Sequence, residues 1–242
     1  MTTHDKQLYH LHIHKTGGVW FLTNVVAELA PSMRPLLSCT LENPGVLSLS
    51  SHKDDFVVSS FRDPVKRTVS QFAWTFFRVD TFYKNPFDTS LGVYTEPTVA
   101  NLMEWVNIRE SFLSNYQSKL LTYPLTPTKL GMHYSDILFD QYTTTIESVN
   151  THLVDVDLLF RTEQCTNPNK EELKTIIWDE FLIPAEDRVP YTSTIAESHS
   201  NAVSSDLYNA LSPADKSIIA NISPIDSEIY ETSSLFWKDG VV

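Results

Sequence analysis

The sequence predicts an α/β fold in which helices flank a central, mostly parallel sheet. Short β-rich runs alternate along the chain with helix-like runs, which is the pattern of a layered α/β domain. The chain has 242 residues, of which 42% are hydrophobic, enough to form one sizeable core. We therefore expect a single domain over residues 1–242. An irregular insertion rich in aromatic residues is expected at about 80–97, and a helical C-terminal section from about 204.

The first third of the chain predicts two strand–turn–helix units. Leu8–His14 alternates between two faces and indicates a strand, and a helix is predicted over Val19–Leu29. Phe56–Phe61 is β-rich and bounded by charge, which is typical of a buried strand, and Val46–Ser51 indicates a shorter one. A helix is predicted over Pro64–Arg78, because proline suits the first helical turn, where a missing N–H costs nothing.

The rest of the chain predicts mainly helices. One further strand is indicated at Val156–Phe160. Helix-like patterns cover Val99–Leu113, Ile137–Val149, Lys170–Phe181 and Ser204–Trp237.

Composition narrows the classes of partner. The formal net charge is −12 at pH 7, which disfavours a nucleic-acid partner because nucleic acids attract basic surfaces. The N-terminal residues lack the apolar core of a signal peptide, and no run approaches the roughly 18 apolar residues that cross a bilayer. The two cysteines, Cys39 and Cys165, match no zinc-site spacing. We expect a cytoplasmic protein with reduced thiols and no membrane partner.

The first candidate anion site is a turn after the first predicted strand. Lys15-Thr16-Gly17-Gly18 stands between that strand and the helix that follows. Glycines let backbone N–H groups approach a phosphate, the helix N-terminus adds partial positive charge, and the Lys15 ammonium can reach the same group. The segment is not the longer G-x-x-x-x-G-K-[ST] loop, so ordinary ATP or GTP use is not indicated. A plain turn with a surface lysine is the alternative.

The second candidate anion site follows the predicted strand Phe56–Phe61. Arg62 offers a planar fork that suits a phosphate, and Ser70, eight residues later on the predicted helix, offers a hydroxyl. The alternative is that Arg62 pairs with Asp63 or caps a strand end, and that Arg67 and Ser70 are solvated helix residues.

Together the two segments resemble those of the PAPS-dependent sulfotransferases, in the branch of carbohydrate and Golgi-type enzymes and bacterial relatives. That family carries a P-K-T-G-G/S-T-S-like turn for the 5′-phosphosulfate and a V-R-D/N-P-x-x-R-x-x-S segment for the 3′-phosphate. The order, separation and Arg-to-Ser spacing agree here, whereas His14 replaces the family's proline and Val19 its hydroxyl residue. The resemblance implies a P-loop-like three-layer fold, PAPS as donor, adenosine 3′,5′-bisphosphate as product and no metal. It assigns cofactor binding to Lys15, Thr16, Gly17, Gly18, Val19, Trp20, Arg62 and Ser70.

Three downstream segments are weaker parts of the same resemblance. Asn115-Tyr116-Gln117 is similar to an N-x-Q stretch of that branch, and Leu158–Glu163 to the strand before its last helical section. Ile225–Tyr230 is similar to its C-terminal D-x-E-x-Y pattern. Arg161 and Pro190–Thr194 are further candidates for nucleotide contacts.

The reaction that the resemblance implies is in-line transfer of a sulfuryl group to a hydroxyl or amine. Lys15 would neutralise the charge that builds on the departing phosphate, and a base would take the acceptor proton. His52 holds approximately the family's place for that base, and histidine ionises near neutral pH. The rival bases are His12, His14, Asp54, Glu104 and Glu110.

Two other functions compete with sulfuryl transfer. A P-loop phosphotransferase would use Thr16 as a magnesium ligand but would leave Arg62 without a role. An inactive sulfotransferase-like binding module is favoured by Val19 and by the short gap between His52 and Arg62. The expected acceptor is a small molecule or a carbohydrate, and the sequence indicates neither its identity nor the oligomeric state.

Overall fold

The computed structural model describes residues 8–11, 13, 16, 21, 25, 37–40, 54–77, 96–122, 141–165, 169–180, 199–232 and 236–237. Several predicted segments lie outside these residues: the strand over Val46–Ser51, most of the helix over Val19–Leu29, and residues 80–95 of the predicted insertion.

A five-stranded sheet lies at the centre of the described structure. Its strands are β1 (Leu8–Leu11), β2 (Leu37–Thr40), β3 (Phe56–Phe61), β4 (Leu158–Arg161) and β5 (Phe236–Trp237). They stand in the order β2-β1-β3-β4-β5. The first four strands are parallel, and β5 pairs antiparallel with β4. The predicted mixed α/β fold with a mostly parallel sheet is therefore confirmed.

Strand β2 was not predicted from the sequence. Its four residues, L-S-C-T, include two small polar side chains and carry little β signal of their own. The strand forms because it pairs with β1, with Leu37 opposite Leu8 and Thr40 opposite Leu11. Its existence is thus a property of the sheet rather than of the local sequence.

Nine helices belong to the described residues. They are α1 (Pro64–Phe77), α2 (Val99–Ile108), α3 (Glu110–Leu113), α4 (Tyr116–Thr122), α5 (Ile146–Leu153), α6 (Asn169–Glu180), α7 (His199–Ala210), α8 (Pro213–Ile222) and α9 (Pro224–Thr232). A single 3₁₀ turn, Thr162–Cys165, follows β4.

Four predicted helix boundaries need correction. The helix-like pattern Ile137–Val149 is interrupted at residues 142–145, and the helix begins only at Ile146, after Thr145, whose side chain caps it. The predicted helix Val99–Leu113 is divided at Arg109, whose backbone leaves the helical region while its N–H still bonds Trp105 O. The C-terminal section begins at His199 rather than at about 204, and Phe236–Trp237 is a strand rather than a helix. Within that section Pro213 and Pro224 each begin a new helix, because proline has no N–H with which to continue the preceding one.

Helices cover both faces of the sheet. Alternation along β1 places Tyr9 and Leu11 on one face and Leu8 and His10 on the other. The first face packs against residues of α4, α5 and α9: Tyr116, Leu120, Leu121, Val149, Leu153 and Ile229. The second packs against Phe21, Val25, Leu173, Ile177 and Trp178, the last three from α6. In the described residues the arrangement therefore has three layers.

Helix α1 packs in a third hydrophobic cluster, separate from the two clusters that cover the faces of the sheet. Val65, Val69 and Phe72 of α1 join a cluster that is completed from α2, the end of α3, α7 and α8 by Leu102, Trp105, Val106, Leu113, Leu207, Leu211 and Ile219. Phe72 and Trp105 lie with their ring centroids 5.4 Å apart. Because α1 is packed on more than one side, it holds the residues before its first turn in a fixed position.

Candidate functional site

The strand order creates a crevice at one edge of the sheet. The chain runs from β1 to β2 on one side of β1 and then to β3 on the other side, so the order reverses between β1 and β3. The connections after these two strands therefore diverge, and open α/β sheets bind ligands at the carboxyl ends of strands at such a point. Thr16 follows β1 and Arg62 follows β3, so each candidate anion segment has a described residue at this crevice.

Hydroxyl groups tie the ends of three strands together at the crevice. Thr16 is fully buried, and its Oγ1 donates to Ile13 O at 2.7 Å. Ser60 in β3 donates its hydroxyl to Thr16 O at 2.5 Å. Beyond β4, Thr162 Oγ1 lies 2.8 Å from Thr16 O and 3.1 Å from Phe61 O, so one hydroxyl bridges both segments.

The segment Phe-Arg-Asp-Pro folds as a strand end followed by a helix cap. Asp63 accepts a hydrogen bond from Lys66 N at its Oδ1 (2.9 Å), and its carbonyl accepts one from Arg67 N (2.9 Å). Pro64 occupies the first position of α1. Asp63 therefore acts as an N-cap, which satisfies an N–H that the helix leaves without an internal partner. The cap gives the Asp63 carboxylate a structural role beside Arg62.

Arg62 lies half-buried among groups of opposite charge. Burial lowers the pKa of its guanidinium, and the nearby Glu163 and Asp63 oppose that shift. An arginine keeps its charge at neutral pH despite such a shift. Glu163 also lies 3.6 Å from Lys66 Nζ and accepts a hydrogen bond from the Tyr230 hydroxyl. The crevice thus combines two cations, Arg62 and Lys66, with a carboxylate that is already bonded to neighbouring groups.

The backbone of Arg62 is held by one buried amide. Arg62 N donates to Gln117 Oε1 at 2.9 Å, and Gln117 Nε2 donates to Arg62 O at 2.9 Å. Gln117 belongs to the Asn115-Tyr116-Gln117 segment. The structure therefore brings a segment from the weaker part of the sequence resemblance into direct contact with the second candidate anion site.

Two helices beneath Arg62 cap each other. Asn115, in the left-handed region at φ 46°, accepts from Ile225 N at 2.8 Å and so caps α9. Asp226 accepts from Gln117 N at 3.0 Å and Ser118 N at 2.8 Å and so caps α4. The two side chains join α4 to α9 near Arg62, across 111 positions of the sequence between Asn115 and Asp226.

Arg67 and Ser70 are buried, so the alternative that they are solvated helix residues is wrong. Arg67 is 1% exposed and Ser70 4% exposed. The Arg67 Cζ lies 3.5 Å from the centroid of the Tyr116 ring. Burial lowers the pKa of Arg67, while the charges of Tyr116 and Asp226 oppose that shift. Helix α1 is enclosed on this side by α4 and α9, which the local sequence did not indicate.

The other predicted site residues fall into three groups. Outside the described residues lie Lys15, Gly17, Gly18, Val19, Trp20, His52, His12, His14 and Pro190–Thr194. Asp54, Glu104 and Glu110 are exposed. Arg161 is directed toward α9, with Nη2 3.2 Å from Glu231 O and Cζ 4.7 Å from the Tyr230 ring centroid.

Thr162 and Glu163 belong to the Leu158–Glu163 segment of the sequence resemblance, but sequence reasoning did not predict that they lie at the candidate site. The available signal was their position directly after a predicted strand, since parallel strands end at a common edge. That signal becomes useful only once β4 is known to lie beside β3, with Arg161 opposite Phe61.

No protein-family model matches the chain, and neither a curated protein nor a solved structure matches it significantly. Within the described ranges, no group of three or more His, Cys, Asp or Glu side chains could hold a metal ion. In the same ranges, no helix is long and apolar enough to cross a membrane.

Proposed function

We propose that the protein is a PAPS-dependent sulfotransferase with a P-loop-like nucleotide site. One observation carries the proposal: Thr16 of the first candidate anion segment and Phe61, the residue before Arg62, share a hydrogen-bond partner beyond the carboxyl ends of β1 and β3. There the Thr162 hydroxyl bridges the carbonyls of Thr16 and Phe61 at 2.8 and 3.1 Å. A ribose that carries phosphate groups at both its 5′ and 3′ positions would need two such neighbouring sites.

Each end of the donor has its own protein groups in this proposal. The turn Lys15-Thr16-Gly17-Gly18 with Val19 binds the 5′-phosphosulfate, mainly through backbone N–H groups. Arg62 and Ser70 bind the 3′-phosphate, and Trp20 lies near the adenine. A charged hydrogen bond from a guanidinium is among the strongest that a phosphate can accept.

The carboxylates near Arg62 are compatible with an anionic ligand. Asp63 uses its Oδ1 to cap α1, and Glu163 is bonded by Tyr230 and lies near Lys66. Each carboxylate therefore has a partner other than Arg62. A phosphate bound at Arg62 would still be repelled by the negative charge of Glu163.

The proposed chemistry assigns one role to each of two residues. The acceptor hydroxyl or amine attacks sulfur in line with the departing phosphate oxygen, and the sulfur–oxygen bond to that phosphate breaks. His52 takes the acceptor proton, and Lys15 neutralises the negative charge on the departing adenosine 3′,5′-bisphosphate. The reaction uses no metal, and we propose that it occurs in the cytoplasm on a small molecule or a carbohydrate.

A thermal-shift comparison tests the proposal. Adenosine 3′,5′-bisphosphate should raise the melting temperature more than ATP, ADP or AMP does, because only the bisphosphate carries the 3′-phosphate. Arg62→Ala should abolish that preference and leave the small shift with AMP nearly unchanged. Arg109→Ala, which removes the same charge from the turn between α2 and α3, is the matched control.

The outcomes separate the competing functions. A larger shift with ATP than with the bisphosphate would refute the proposal in favour of a phosphotransferase. Bisphosphate binding without sulfuryl transfer to phenols or sugars, in the wild type as in Lys15→Ala, would indicate an inactive binding module.

A further inference from the structure

We infer that Gln117 is a positioning residue that sets Arg62 for recognition of the 3′-phosphate. The inference rests on the proposed function, because it takes Arg62 to be the group that meets this phosphate. It goes further, because it assigns selectivity for the sulfuryl donor to a fully buried residue of α4. In this inference Gln117 itself makes no contact with the nucleotide.

The Gln117 side chain forms with the Arg62 backbone the two hydrogen bonds that a neighbouring strand would otherwise form. The β3–β4 pairing ends with Phe61 opposite Arg161, so Arg62 lies one residue beyond the sheet. Gln117 meets both backbone groups of Arg62, accepting from its N–H and donating to its carbonyl at 2.9 Å each. A primary amide is a side chain that offers a donor and an acceptor in the geometry of a peptide group. Leucine has neither, and a carboxylate has only acceptors.

Gln117 is itself rigidly held. Its side chain is 0% exposed, and its backbone N–H donates to Asp226 Oδ2 at 3.0 Å. Its helix, α4, is buried along its whole length and packs under the sheet. A rigid support of this kind restricts the backbone of Arg62, and the direction of a side chain follows from its backbone.

The amide is also suited to the charge of the site. It holds Arg62 without adding a negative charge beside the proposed phosphate. Glutamate in the same place would accept from Arg62 N but could not donate to Arg62 O, and it would add a charge that repels the ligand. The expected effect of either change is therefore on the ligand with a 3′-phosphate and not on nucleotides that lack it.

The experiment compares the affinities of adenosine 3′,5′-bisphosphate and AMP by titration calorimetry. Gln117→Leu should weaken bisphosphate binding by about tenfold, the lower end of the loss that follows when a residue that orients a metal ligand is replaced. AMP affinity should change by less than about twofold, because AMP does not reach Arg62. Thr122→Val is the matched control, since Thr122 is buried in the same helix and bonds Ser118 O and Thr144 Oγ1 instead.

The variants also need a readout that does not depend on the ligand. Hydrogen exchange at the Arg62 amide should be faster in Gln117→Leu and unchanged in Thr122→Val. If Gln117→Leu does not fold, Gln117→Met, which also lacks both the amide donor and the amide acceptor and adds no charge, serves in the same comparison, with the same direction of effect on bisphosphate affinity and on Arg62 exchange.

The possible results separate the positioning role of Gln117 from the proposed function. A wild-type preference for the bisphosphate that persists in a folded Gln117 variant would overturn the positioning role and leave the proposed function intact. The same holds if Arg62 exchange is unaltered. A wild type without any preference for the bisphosphate would overturn both.

Discussion

Asp226 is the residue whose loss should destabilise the described structure most clearly. It is 1% exposed and accepts three hydrogen bonds across the α4–α9 contact. Oδ2 accepts from Gln117 N at 3.0 Å, and Oδ1 accepts from Ser118 N at 2.8 Å and from Ser118 Oγ at 2.5 Å. Its charge also opposes the effect of burial on the pKa of Arg67. Replacement by alanine leaves three donors without this acceptor and Arg67 without a nearby carboxylate.

The expected loss of unfolding free energy follows from these hydrogen bonds. A buried donor left without a partner costs about 1–3 kcal/mol. The three donors lie close together and their costs overlap, so we expect Asp226→Ala to lower the free energy of unfolding by about 3–5 kcal/mol. Asp226→Asn keeps one side-chain oxygen and nearly the same shape, so its cost should be about 1–3 kcal/mol.

The pH dependence gives a second test of Asp226. Burial raises the pKa of its carboxyl, although the donors from Ser118 and Gln117 and the charge of Arg67 oppose the shift. An acid with a raised pKa in the folded state binds its proton more tightly when folded. The stability that comes from the tighter binding of this proton is therefore fully present below the unfolded pKa of 3.8. It is lost as the pH rises through the folded pKa of Asp226. Asp226→Asn should remove this loss.

Urea denaturation followed by circular dichroism measures both effects. Ser227→Ala is the matched control on the same helix and should change the free energy of unfolding by less than about 0.5 kcal/mol. A cost below about 1 kcal/mol for Asp226→Ala, or one equal to that of Ser227→Ala, would refute the reasoning.

Two further predictions concern the groups around Arg62 and Arg67. Burial raises the pKa of Tyr116 from 10.0 to about 12, so its stabilising effect is complete below pH 10 and lost as the pH rises toward 12. This shift corresponds to about 3 kcal/mol. Tyr116→Phe should remove that loss in urea titrations at pH 8 and 11.5; an unchanged pH dependence would contradict the prediction. Glu163→Gln should strengthen bisphosphate binding about fivefold in calorimetry, since it removes roughly 1 kcal/mol of repulsion near Arg62. Weaker binding, or an equal gain for AMP, would show that Glu163 does not oppose the 3′-phosphate.

Some elements could be predicted because their signals are local. The strand Phe56–Phe61 agrees with the prediction in both bounds, and the helix from Pro64 ends within one residue of it. An apolar run bounded by charge and a proline after a capping aspartate act within a few residues of chain. Strand β2 carried no comparable signal, because it exists through its pairing with β1.

The candidate site likewise contains some residues that local sequence was enough to select and others that only the tertiary structure revealed. Local chemistry was enough to select Arg62 and Thr16, because a cation after a strand and a turn before a helix are properties of short segments. The partners of Arg62 came only from the tertiary structure. Gln117 and Glu163 lie beside Arg62, and Asp226 holds Gln117, because α4, the end of β4 and α9 are packed together near the carboxyl edge of the sheet. Their spacing along the chain is set by loops whose lengths have no fixed relation to distance in space, so no local pattern could have assigned their roles.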